Sequence, residues 1–279
     1  MIQMASIDFL IIGAAKSATT WLQKNLQADP GVYMPDPELH YFSRHYEHGD
    51  DWYLSQFDCA DDSRIIGEKS NSYLDEPAAP QRIRNALPGV KLVAQLRNPV
   101  ERAYSDYCML YRRGEVGRNI EDHLDPRRAA DERFIANGRY REQITRFLDL
   151  FPRDRFLFLL FEDVAARPRR QLSLIRGFLG LPEDTEWVPK KDKVKDKTTK
   201  VTPPALKRYL KPLKPLSSRM RKTHGFDVMA SLLQREIDYP ALSDDLRERL
   251  SDYFAPEIEG LQDLLGEDLS VWQAWAPQV

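Results

Sequence analysis

Apolar residues fall in short dense runs, and between them they recur at helical spacing. The runs are too short for helices of ordinary length, and they suit strands buried on both faces. The pattern predicts strands over 7–13, 65–68, 91–97 and 156–161, and helices over 19–28, 78–87, 100–113, 139–150 and 168–180. A polar, aromatic-rich stretch fills 33–57, and the charged segment 114–138 reads as irregular or partly helical. Closing helices over 228–238 and 243–265 look like packing elements. Strands that alternate with helices imply a central parallel sheet with helices on both faces, a three-layer α/β fold. In such a sheet ligands gather at the carboxyl ends of the strands. No internal repeat is visible, and residues 1–279 read as one domain.

Composition narrows the partners. Lys and Arg number 41 against 43 Asp and Glu, a net charge of −2. A general nucleic-acid binder would carry a basic excess, so any anion site must be local. Cys59 and Cys108 are too few for a disulfide framework, and free thiols in a reducing compartment are expected. No Cys/His cluster has zinc spacing, so no metal is expected. No apolar run approaches the ~20 residues that span a bilayer. Met1–Asp8 holds an Asp and no Lys or Arg, unlike a signal peptide. A cytoplasmic location without a transmembrane segment is the expectation; the oligomeric state is left open.

Two motifs carry chemistry. The apolar run from Phe9 ends at Gly13; Lys16, Ser17, Thr19 and Thr20 follow, and a helical pattern opens with Trp21 and Leu22. A strand, a tight turn and a helix N-terminus aim backbone N–H groups at one spot that favours an anion. Lys16 adds a point charge and the hydroxyls add donors, so the turn suits a phosphate or sulfate group. The nucleotide P-loop, Gly-x-x-x-x-Gly-Lys-Ser/Thr, is the obvious comparison. Here Ala15, not Gly, precedes Lys16. The second motif, Arg97-Asn-Pro99-Val-Glu-Arg102-Ala-Tyr-Ser105-Asp-Tyr107, follows the strand-like run 91–97. Pro99 suits a helix start. Arg97 and Ser105 are candidates to converge on one anion, and Arg offers a fork of donors that matches phosphate. Arg102 belongs to the same motif or serves helix packing through an ion pair.

Together these motifs resemble those of the sulfotransferases that use 3′-phosphoadenosine 5′-phosphosulfate (PAPS). The first is similar to that family's 5′-phosphosulfate loop, Lys-Ser-Gly-Thr-Thr-Trp, and the second to its 3′-phosphate site. Glu38-Leu-His40-Tyr-Phe42 and Glu68-Lys69-Ser-Asn-Ser-Tyr73 resemble segments of the heparan sulfate branch and its bacterial relatives. Tyr140, Phe151-Pro152, the run 156–161, Phe178-Leu-Gly-Leu181 and the tail from Tyr253 to Trp272 recur in the same order. Three residues depart from the pattern. Ala18 replaces a usual Gly, which the loop tolerates at negative φ. Pro37 stands where a Lys often precedes Glu38, and Asn71 replaces a common Pro.

The resemblance implies a P-loop-like fold and transfer of a sulfuryl group from PAPS to a hydroxyl, or an amine, without a metal. It places Lys16, Ser17, Ala18, Thr19, Thr20, Trp21, Arg97, Ser105 and Tyr140 around the nucleotide, whose product form is 3′-phosphoadenosine 5′-phosphate (PAP). Trp21 packs on adenine or is plain core. Lys16 is the candidate to neutralise charge on the leaving phosphate. Glu38 and His40 are candidates for the general base. Glu38 is the first choice, because the heparan branch keeps its base there; His40 orients it or meets the acceptor. Two residues apart, they face the same way if the segment is extended. Lys69 reaches the sulfonate or the acceptor oxygen, or it pairs with Glu68 or Glu38. Trp52 and Tyr53 line an acceptor pocket or belong to aromatic core. The basic run 190–200, with six lysines, reads as a solvated mobile segment or a lid, and the stretch to 225 is basic and Pro-interrupted. The acceptor is a carbohydrate, lipid or other small molecule. The rivals are a P-loop nucleotide kinase and a non-catalytic binder of PAP.

Overall fold

A computed structural model describes residues 3–57, 64–182 and 237–272. The basic segment 190–225, most of the expected helix over 228–238, and Cys59 lie outside the described residues. The chain forms two compact units. One is built from residues up to Asn98, from Arg139 onward and from Ala255 onward, the other from Pro99–Gly138 and the stretch ending at Phe254.

The first unit holds the sheet. Five strands, β1 (Phe9–Gly13), β2 (Val32–Tyr33), β3 (Ile65–Lys69), β4 (Lys91–Leu96) and β5 (Phe156–Leu160), lie in the order β2-β3-β1-β4-β5. All four pairings are parallel, with Phe9 opposite Gly67 and Lys91, and Leu92 opposite Phe156. The expected parallel sheet is present, with one strand, β2, that the pattern did not predict. Every residue of β1 is buried. Phe9 and Ile11 share one core with Leu22 and Leu26 of α1 (Thr19–Leu26) and with Leu172, Ile175 and Leu179 of α11 (Pro168–Leu179). By strand alternation Leu10, Ile12, Leu92 and Leu96 face the opposite side, and they are equally buried. Both faces are therefore covered, which is why these strands read as continuous apolar runs.

Between β2 and β3 the aromatic stretch forms two short helices, α2 (Tyr41–Arg44) and α3 (Gly49–Leu54). Helix α4 (Ala79–Ala86) follows β3, α9 (Tyr140–Leu148) precedes β5, and α10 (Glu162–Ala166) follows it. Gly13 is required by close approach. A Cβ there would stand 2.8 Å from Leu74 Cβ and 3.2 Å from the Asn71 carbonyl.

The second unit contains α5 (Pro99–Arg113), with Pro99 in its first turn, and three short helices, α6 (Glu121–Leu124), α7 (Pro126–Ala129) and α8 (Arg133–Ala136). Arg102 is fully buried, 3.8 Å from Asp106 and bonded to the Phe134 carbonyl. Arg133 closes a two-pronged contact on Asp106 at 2.9 and 3.0 Å. Arg102 thus takes the packing role. Arg249, from the closing helix Asp244–Leu265, donates to Asp125 and Glu121.

Candidate active site

The loop between β1 and α1 is shaped by its backbone. Among the described residues three non-glycines have positive φ: Lys16 at 73°, Ala18 at 59° and His40 at 52°. The negative φ set as the condition for tolerating Ala18 is not met; the residue lies in the left-handed region, at ψ 24°. With Lys16 and Ala18 left-handed and Ser17 between them not, successive N–H groups turn to one side, the geometry of an anion nest. No side chain caps the N-terminus of α1; the Trp21 N–H turns back to the Ala18 carbonyl at 2.9 Å, which leaves the Thr19 and Thr20 N–H groups at the mouth of the loop. Each left-handed non-glycine costs about 1 kcal/mol or more and persists only where its surroundings fix it.

Those surroundings are visible. Gln95, buried on β4, donates from Nε2 to the Ser17 carbonyl, and Ala14 N–H donates to the Gln95 carbonyl at 2.8 Å. Arg97, just past β4, donates from Nη1 to the Lys16 carbonyl at 3.2 Å. Its guanidinium lies over the Phe161 ring, 4.2 Å from the centroid. The two sequence motifs therefore meet at the carboxyl ends of β1 and β4, where the strand order reverses direction. Thr19 Oγ1 donates to Asn71 Oδ1 at 2.7 Å. Ser17 Oγ is buried and has no hydrogen-bond partner among the described residues. A buried hydroxyl without a partner is costly and calls for one.

A second cluster stands beside the loop. Lys69, at the end of β3, is almost wholly buried and places Nζ 2.8 Å from Glu38 Oε1 and 3.3 Å from Thr20 Oγ1. Of its two expected acidic partners, Lys69 takes Glu38. Strand alternation sends Glu68 to the other face of β3. Glu38 also accepts from Asn71 N–H at 3.0 Å on Oε2 and from Asn71 Nδ2 at 3.2 Å on Oε1. His40 Nε2 lies 3.7 Å from Glu38 Oε2, near but not bonded. The segment is not extended as expected, because His40 turns left-handed at the start of α2. Three serines hold that turn. His40 N–H donates to Ser70 Oγ at 2.8 Å, Nδ1 meets Ser72 Oγ at 2.7 Å, and Ser43 Oγ donates to the His40 carbonyl at 3.2 Å. Burial lowers the His40 pKa; the Glu38 charge opposes this, while Arg44, His45 and Lys69 add to it. The imidazole is therefore neutral near pH 7.

Behind this cluster lies a group that opens one of the motif segments and whose only expected role is a pairing with Lys69. Glu68 is fully buried and accepts from Ser70 Oγ at 2.8 Å, from the Tyr73 hydroxyl, and from the Tyr53 hydroxyl at 3.5 Å. Burial raises its pKa to about 7, against the opposing hydrogen bonds of Tyr73 and Ser70. Burial likewise pushes the Tyr53 and Tyr73 hydroxyls well up. Tyr53 is core, stacked on Tyr41, whereas Trp52 is half-buried beside His48. Trp21, expected at the nucleotide or in the core, is half-buried and packs against the core. Tyr140 is buried against the Trp272 ring, and Ser105 is half-buried on α5 in the second unit. Among the described residues no group of three or more His, Cys, Asp or Glu is placed to hold a metal, and no helix is long and apolar enough to cross a membrane.

Comparison with known proteins adds the family. The chain is 33% identical over 180 residues to human heparan sulfate glucosamine 3-O-sulfotransferase 6, covering 62% of this chain and 52% of that protein. It is 29% identical over 191 residues to the bifunctional heparan sulfate N-deacetylase/N-sulfotransferase 1 of Caenorhabditis elegans, covering 63% of this chain and 22% of that protein. The chain thus spans about half, or less, of these curated relatives. A crystal structure of a sulfotransferase from Alicyclobacillus acidocaldarius superposes with a TM-score of 0.71 at 27% identity, covering 96% of this chain and 99% of that one. The model of the sulfotransferase domain matches residues 6–261. With the five strands and both motif loops inside that match, the chain belongs to the sulfotransferase domain family.

Proposed function

We propose that this chain moves a sulfuryl group from PAPS to a hydroxyl, or an amine, of a carbohydrate or other small acceptor. The observation that carries this reading is the reach of Lys69 Nζ, which touches both Glu38 and Thr20. One ammonium joins a carboxylate suited to act as base to the first turn of the anion loop. When bound, PAPS supplies an activated sulfuryl group on a phosphate leaving group. The residues present fit its anionic end: a nest of backbone N–H groups, the Lys16 charge, the Thr20 hydroxyl, whose hydrogen stays available while it accepts from Lys69, and the buried Ser17 hydroxyl that lacks a partner among the described residues; the Thr19 hydrogen is held by Asn71. Arg97 is assigned to the 3′-phosphate, and Ser105, Trp21 and Tyr140 join the nucleotide set, on their motif positions alone.

The proton has one favoured destination. Glu38 Oε1 is taken by Lys69 and Asn71 Nδ2, whereas Oε2 holds one donor, the Asn71 N–H. Oε2 therefore accepts the proton of the attacking hydroxyl. Neutral His40, its Nε2 turned toward that oxygen, orients the acceptor. Lys16 and Lys69 hold the charge that develops during transfer, a form of stabilisation that supplies much of the rate in such reactions. The cysteine usage supports work in the cytoplasm.

Titrating the protein with PAPS, PAP and Mg-ATP, and following ³⁵S from PAPS into candidate acceptors, tests the reading. Tight PAPS and PAP binding with label transfer is the expected result. Preference for Mg-ATP would replace it with a kinase, and PAP binding without transfer would leave a binding protein.

A further inference from the structure

The chemistry above leaves one buried group unused, the carboxyl of Glu68. A serine hydroxyl has one hydrogen to give. With the Glu68 carboxyl ionised, both its oxygens accept, and the Ser70 hydrogen goes to Oε2 at 2.8 Å, which turns the Ser70 lone pairs toward the His40 N–H, 2.8 Å away. The other Glu68 oxygen is engaged by Tyr73 and Tyr53, which fixes the carboxyl plane from the opposite side. His40 in turn sits in a left-handed conformation that a non-glycine holds only when its neighbours impose it. We propose that Glu68 is a positioning residue that acts through Ser70: it fixes the His40 backbone and thereby sets the base segment against Lys69.

The catalytic meaning of this role rests on the sulfotransferase reading, and its structural content on the hydrogen-bond chain alone. The direction of the chain makes it specific. In Glu68→Gln the two tyrosines donate to the amide oxygen, so the NH₂ faces Ser70. A donor then replaces an acceptor, and the Ser70 hydrogen is driven toward the His40 N–H. Ser70→Ala removes the link outright, while Ser70→Thr keeps the hydroxyl.

The test combines amide hydrogen exchange at His40 with kinetics, both well above pH 7, where Glu68 is ionised. In the wild type the His40 amide should be protected at least tenfold over an exposed amide. Its exchange should rise about tenfold in Ser70→Ala and in Glu68→Gln, the factor that one lost hydrogen bond represents, and stay normal in Ser70→Thr. With PAPS and a heparan sulfate oligosaccharide, kcat should fall about tenfold in the first two variants while PAP affinity is unchanged. An unprotected His40 amide in the wild type overturns the proposal even if no variant folds. Exchange that stays slow in both folded variants overturns it too, as does faster exchange with undiminished kcat. A wild type that transfers no label to any acceptor would sink the sulfotransferase reading instead, and the exchange measurement would still decide the role of Glu68.

Discussion

The loop at 14–18 and the cluster around Glu38 stand side by side, yet they are built by opposite means. The loop is backbone architecture: two left-handed residues, an uncapped helix start, and carbonyls held by Gln95 and Arg97. The cluster is side-chain architecture, with Lys69, Ser70, Asn71 and Ser72 reaching partners 30 to 33 residues earlier in the chain. A backbone nest binds any anion of the right size; a side-chain cluster fixes which atom receives a proton. The difference teaches that binding and chemistry can fail separately here, and substitutions on each side separate them.

The largest effect should come from the cluster. Glu38→Gln removes the proposed proton acceptor, and kcat should fall by about 10²–10⁴. PAP affinity by calorimetry should not change. A fall in both would merge the two regions. If Glu38→Gln stays active while His40→Ala is dead, the base is His40. Lys16→Ala comes next, on the loop side, with an expected loss of about 10²–10³ in kcat that exceeds its loss in nucleotide binding. Near-normal turnover in a folded variant would remove Lys16 from the transfer step.

A smaller effect is a dependence of stability on pH. Glu68 keeps its proton up to about pH 7 in the fold but only to about 4.5, its ordinary value, in the unfolded chain. Its contribution to stability is thus fully present below pH 4.5 and is lost as pH rises to about 7, by at most about 3 kcal/mol. The facing groups are Tyr53, Tyr73 and Ser70, with the Glu38 charge adding to the rise. Melting curves of wild type and Glu68→Gln over that window should diverge by this trend. Parallel curves would show that Glu68 is ionised throughout.

Two weaker tests sharpen the loop side. Arg97→Ala should weaken PAP by about one to two factors of ten, and adenosine 5′-phosphate less. Because Arg97 also holds the Lys16 carbonyl, some loss with both ligands is expected, and equal losses would confine Arg97 to that support. Ala18→Gly should relieve a left-handed alanine. The gain is offset in part by the freer unfolded chain, leaving about 0.5–1 kcal/mol. A differential scanning experiment would read that as a rise of about 1–3 °C.

The loop was legible because its signal is contiguous: an apolar run, a glycine, a lysine and hydroxyls within a dozen residues. The strands were legible for the same reason, since burial on both faces writes them as apolar runs. Strand β2 was not, because two residues in a polar stretch carry no period. Helices α2 and α3 are four and six residues long, below what a 3.6-residue repeat can announce. The left-handed Ala18 could not be read from an alanine, whose own preference is the reverse. Glu68 was passed over as a neighbour of Lys69, because its partners Tyr53 and Tyr73 converge only through the fold. The choice of Lys69 between two acids was settled by strand alternation.

The spacing of the bonds around the loop has a consequence for how the protein becomes active. Thr19 reaches a partner 52 residues on, and Arg97 reaches back 81 to the Lys16 carbonyl. Such bonds form only after long stretches of chain have closed, and parallel strands demand that closure before they reward it. Half a sheet therefore offers no half-strength pocket. A nucleotide bound as proposed at this crevice would recognise only the completed sheet, so each increment of its concentration would draw molecules out of the unfolded pool by mass action. The crevice is, in effect, a gauge of how much of the population has finished folding.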